Sequence, residues 1–112
     1  MQQVTFEPIS NRETWSDTVE VRRDGTLIDL SAATILLQVR SKQSKSILLS
    51  ARSSDGTITI ESLGVFVFTF SHPQMRALDA SIAYEVGCTI EIAGVAEQLF
   101  IGNISVLDGI VE

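Results

Sequence analysis

One cysteine in 112 residues, Cys88, leaves no second sulfur for an internal disulfide, so the core of this chain has to be held by packing alone. Cys88 falls on the apolar side of a strand pattern and reads as a small buried hydrophobe, which permits folding in a reducing compartment. No apolar run approaches the roughly 20 residues of a membrane-spanning helix. Met1 to Arg12 also lacks the basic start and apolar middle of a signal peptide, so the expectation is a soluble chain with no cleaved leader and no membrane insertion. Positive charge is scarce: 8 Lys and Arg against 14 Asp and Glu give a net charge of −6, which opposes the phosphate electrostatics of nucleic-acid binding. Seven of the basic residues lie in residues 1–52 beside six acids, whereas Arg76 alone faces eight acids in residues 53–112, an asymmetry that either orients copies or partners or, since the halves of a sandwich interleave in space, amounts to scattered solvated charges.

Reactive chemistry is equally thin. His72 is the single histidine and sits in no nucleophile motif, with no second histidine or cysteine near it to share a metal. Glu85 and Glu91 are outward residues six apart on one strand, too distant to act as a carboxylate pair. There is no phosphate-cradling glycine loop, zinc spacing or calcium loop, so the expectation is a non-enzymatic chain with no cofactor. Aromatics are few, and Trp15 is the one candidate platform for a sugar or other ligand, an option that ends if Trp15 packs in the core.

What the chain has is alternation. From Ile82 to Ile92 every second residue is apolar (Ile82, Tyr84, Val86, Cys88, Ile90, Ile92), the period of a strand with one dry face. Trp15, Val19 and Val21 share one parity, with Asp17 among them expected to find a donor or a strand end. Ile35, Leu37 and Val39 repeat the pattern, with Leu36 breaking the polar side. Ile58 and Ile60, then Phe100, Ile104 and Val106, complete the inward set, and Gly102 on their parity suggests a bulge or a close backbone approach. Asp24-Gly25, Asp55-Gly56 and Ala93-Gly94 mark turns. Val65 to Phe70 is apolar on both parities: Phe66, Phe68 and Phe70 belong to the core, and the Val65, Val67 side is a candidate subunit contact. Leu36 and the basic tip carrying Lys42 and Lys45 join it as a candidate assembly surface. The two lysines also fit the simpler role of guards that keep a strand edge from pairing with other chains.

Ser71-His72-Pro73-Gln74 has the form of a capped helix start, with Met75 and Leu78 pinning one helical turn to the sheets. Tyr84 then opens the strongest strand, with Val86 two residues on. A tyrosine so placed forms the corner of immunoglobulin-like sandwiches, where its hydroxyl bonds back to the chain; a buried tyrosine without that bond fits the pattern as well. About eight short strands at intervals of roughly 8–12 residues complete an all-β, immunoglobulin-like sandwich with one short helical turn. Residues 1–14 read as an N-terminal arm, with a short edge strand around Thr5 to Ile9, and 15–112 as the domain.

The ordered series Asp24-Gly25, Asp29-Leu30-Ser31 running into Ile35 to Arg40, Asp55-Gly56-Thr57-Ile58, Gly64-Val65-Phe66, Tyr84-Glu85-Val86 and Gly102-Asn103-Ile104-Ser105-Val106 resembles the N-terminal immunoglobulin-like domain of the phage upper baseplate protein family. The resemblance spans about residues 15–112. It implies a non-enzymatic virion protein of a phage or prophage tail, baseplate or fibre attachment, self-associating and touching other tail proteins, made in the host cytoplasm and carried in the virion. Many relatives continue into a coiled coil or receptor-binding region where this chain ends at Glu112, so the resemblance favours a small adaptor over a receptor binder. A carbohydrate- or ligand-binding module on the same architecture is the alternative expectation.

Overall fold

The alternating runs become strands, and their parity decides which side chains meet between two layers. The structure, a computed structural model, describes residues 2–6, 8–80 and 82–107; the last residues of the expected domain, 108–112, lie outside it. The strands are β1 (Gln2–Thr5), β2 (Ile9–Ser10), β3 (Trp15–Glu20), β4 (Arg22–Arg23), β5 (Thr26–Leu27), β6 (Thr34–Ser41), β7 (Ile47–Arg52), β8 (Ile58–Ser62), β9 (Val65–Phe70), β10 (Tyr84–Ile92), β11 (Val95–Ile104) and β12 (Val106–Leu107). Eight of these are four residues or longer. A 3₁₀ turn at Ser53–Asp55 joins β7 to β8, and the helix α1 (His72–Met75) follows β9.

One sheet has the order β1-β11-β10-β6-β7 and the other β3-β9-β8. The chain starts β3 in the smaller sheet, crosses for β6 and β7, returns for β8 and β9, and crosses again for β10 and β11. That path, closed by a tyrosine corner, is the immunoglobulin-like sandwich. The corner is built by Tyr84, which is buried and whose hydroxyl accepts the Asp79 N–H at 2.7 Å. Ser71 and Gln74 form a reciprocal capping box at α1, and Met75 and Leu78 are both buried.

Between the sheets lie Ile35, Leu37 and Val39 from β6, Phe66, Phe68 and Phe70 from β9, and Tyr84, Val86, Cys88 and Ile90 from β10. Trp15 is 2% exposed; its ring meets Phe68 edge-on at 5.1 Å and Phe6 at 5.4 Å, and its indole N–H donates to Asp17 Oδ2 at 3.1 Å. Asp17 is exposed, so the donor it finds is a side chain at the sandwich margin.

Three expectations change. Residues 2–14, read as an arm, carry β1, which pairs in parallel with β11, and β2, which pairs in parallel with β12; Phe6 packs on Trp15, and Asn11 Nδ2 donates to Leu78 O at 3.0 Å. Ile60 is not sealed in the core: it is 38% exposed on the edge strand β8, beside a register shift between Ile60 and Ser62 that interrupts the regular ladder to β9. Gly102 pairs in register with Val86, and the shift in β11 falls at Leu99 instead, where Cys88 pairs with Phe100 but Thr89 with Gln98.

Candidate functional site

The outward side chains of the five-stranded sheet line up in rows across its strands. Leu36, Thr89 and Gln98 form one row, Gln38, Gly87 and Ile101 the next, and Arg40, Glu85 and Asn103 the third. Gly87 stands at the centre with no side chain, and its absence leaves a dent of about 170 Å³ whose walls include Leu36, Gln38, Thr89, Gln98 and Ile101. Leu36 is half-buried and Ile101 is 36% exposed, so the dent is apolar at its sides and polar at its rim. That volume is below the roughly 300–1,000 Å³ of small-molecule pockets and suits one inserted side chain. A wider groove of about 520 Å³ runs along β3 past Phe6, Trp15 and Asp17, but it is open and mostly polar.

The bulge beside the dent is fastened by Gln98, whose Nε2 donates to Cys88 O at 3.0 Å and to Phe100 O at 2.9 Å. The side-chain amide thereby supplies donors where the extra residue interrupts the ladder. At the other end of the face, Glu85 accepts from Arg40 Nε at 2.7 Å and from Lys45 Nζ at 3.1 Å. The Lys45 ammonium first, and the Arg40 guanidinium after it, hold the Glu85 carboxyl below the usual carboxylate range against an opposing push from partial burial. Lys42 Nζ reaches Asn103 Oδ1 at 3.5 Å. Two cations thus share one carboxylate with a third, Lys42, on the neighbouring Asn103, and this end of the face is locally positive on a chain of net charge −6.

The five residues proposed from sequence as an assembly surface divide between two sides of the molecule. Leu36, Lys42 and Lys45 belong to the five-stranded sheet's outer side and the hairpin at its end. Val65 and Val67 are half-buried on the outer side of the other sheet, opposite Glu20 and Thr18 of β3. They separate because β6 and β9 belong to different sheets, with the core between them. The residues that complete the first face, Gly87, Gln98 and Ile101, were not singled out from sequence. The available signal was a glycine among the outward residues of the most regular strand.

Trp15, the one aromatic platform considered, is sealed in the core and presents no face to a ligand. His72 is exposed at the start of α1, and among the described residues no group of three or more His, Cys, Asp or Glu is placed to hold a metal ion. Cys88 is fully buried, and burial pushes its thiol up to about 12, far from thiolate chemistry at neutral pH.

No family model matches the chain, and no curated protein is similar to it in sequence. Among solved structures it is similar to the crystal structure of the N-terminal Ig1-2 module of the Drosophila receptor protein tyrosine phosphatase DLAR, at 13% identity and a TM-score of 0.45. That match covers 97% of this chain and 46% of the other, so the chain spans under half of that module's length.

Proposed function

We propose that this chain is a non-enzymatic structural domain that works by protein–protein assembly through the outer face of its five-stranded sheet. The observation that carries the reading is the Gly87 dent, apolar at Leu36 and Ile101 and ringed by Gln38, Gln98, Thr89 and the Arg40–Glu85 pair. Apolar walls set inside a polar and charged rim fit the make-up of a protein interface. The paired charges fix the orientation of a partner more than they add affinity.

The ordered motifs shared with the upper baseplate protein family support a place in a phage or prophage tail, baseplate or fibre attachment, with copies of the chain and neighbouring tail proteins as partners. Mass spectrometry of purified tail particles tests this directly. The chain is expected as a fixed-stoichiometry component; particles that are complete without it overturn the assignment.

A further inference from the structure

We propose that the tip of the β10–β11 hairpin of one copy seats in the Gly87 dent of a second copy, in a contact that repeats from copy to copy. The inference rests on the assembly reading above and adds to it the knob, the socket and the symmetry.

The knob is unusual for a solvent-facing turn. Ile92, Ala93, Gly94, Val95 and Ala96 include no polar side chain, and Val95 is 70% exposed. Ala93 has φ +53° and Gly94 φ +81°, the two positive values of a type I′ hairpin turn. The same chain builds that geometry elsewhere as Asp24-Gly25, with φ +53° and +79°. Aspartate and asparagine tolerate the left-handed region better than alanine does. The tip therefore stays apolar although its backbone favours a polar residue, which is what a surface meant to be covered requires.

The socket matches it in size and in charge. The dent of about 170 Å³ has room for one aliphatic side chain between Leu36 and Ile101. Glu91 and Glu97 flank the tip, Glu91 exposed and Glu97 bonded to Arg23 at 2.6 Å. Arg40 and Glu85 border the dent as a pair, Lys45 adds a second cation to the Glu85 carboxylate, and Arg52 lies opposite Leu36 on β7, so bases outnumber acids three to one around the socket. An acid-flanked knob thus meets a base-flanked socket.

Ala93 at the tip lies six residues beyond Gly87, about 20 Å of extended strand, so a copy cannot fill its own dent. Knob and socket are different patches of one molecule, and such a contact is heterologous: it closes into a ring or extends as a filament.

Native mass spectrometry and sedimentation velocity across a concentration series test this with Val95→Asp and Gly87→Val. Val95 is open to solvent, and a Cβ at Gly87 meets nothing nearer than Gln98 Nε2 at 3.5 Å, so both variants are expected to fold, which melting curves check. The unmodified chain is expected to form oligomers that weaken as salt is raised, and each variant alone to be monomeric. An equimolar mixture of the two is expected to form a pair that grows no further, because one intact knob meets one intact socket. A monomeric unmodified chain, a variant that keeps the full oligomer, or a mixture that yields no pair overturns the contact. A chain that is monomeric yet present in purified tail particles overturns this contact alone. Oligomers that pair as described from a chain absent from those particles sustain the contact and overturn the tail assignment.

Discussion

The Tyr84 hydroxyl takes the Asp79 N–H at 2.7 Å and so ties the link after α1 to the first residue of β10. Tyr84→Phe removes that acceptor while keeping the ring in the core, and it is expected to lower stability by about 1 kcal/mol. A urea or guanidinium midpoint that does not move shows that the bond contributes nothing.

Gly64 ends the turn between β8 and β9 at φ +69°, and a Cβ built on it meets Leu27 Cβ at 2.9 Å and the Val21 carbonyl oxygen at 3.0 Å. Gly64→Ala combines a disfavoured backbone region with a contact that includes main chain, so an expected loss of about 2 kcal/mol or more follows. Calorimetry of the variant checks this, and an unchanged melting temperature contradicts it.

Ala93→Gly removes the side chain that makes φ +53° expensive and is expected to stabilise the fold by up to about 1 kcal/mol. Equilibrium denaturation measures the gain. A loss of stability shows instead that the alanine methyl contributes more by packing than it loses by strain.

Three carboxyls titrate below their ordinary values: Asp29 through the Ser31 N–H and hydroxyl, Asp55 through the Thr57 hydroxyl and N–H, and Glu85 through Lys45 and Arg40. Each binds its proton more weakly folded than unfolded. Its stabilising contribution is complete above the unfolded value, near pH 4, and is lost as pH falls through the folded value. Melting temperature is expected to decline on acidification from pH 5 toward pH 3, and Glu85→Gln to flatten part of that decline. A profile equally steep in the variant removes Glu85 from the account.

Where a residue's neighbours in sequence determine its environment, the fold was legible. Alternation from Tyr84 to Ile92 became a strand with Tyr84, Val86, Cys88 and Ile90 buried, and the three phenylalanines of β9 are all inside. The Ser71-to-Gln74 spacing became a capping box because both partners lie within one helical turn. Long-range placement was less visible. The parallel pairing of β1 with β11 has no local signature, so Gln2 to Thr5 read as part of an arm. The bulge at Leu99 depends on Gln98 reaching two carbonyls, one of them on β10, whereas Gly102 merely permits a bulge and does not require one. The interaction face was half legible: Leu36 announced itself by interrupting a polar side, but the dent depends on Gly87 lying level with Gln38 and Ile101 on adjacent strands.

That parallel ladder, Gln2 beside Phe100 through Thr5 beside Asn103, joins segments almost a whole chain length apart. Closing so large a loop is entropically slow, and it places this domain among the millisecond-to-second folders typical of sandwiches rather than the microsecond helical bundles. During synthesis β1 finds its neighbour only after every strand from β2 to β10 has been made, so this margin of the larger sheet has to wait for the rest of the sandwich before it can be zipped shut.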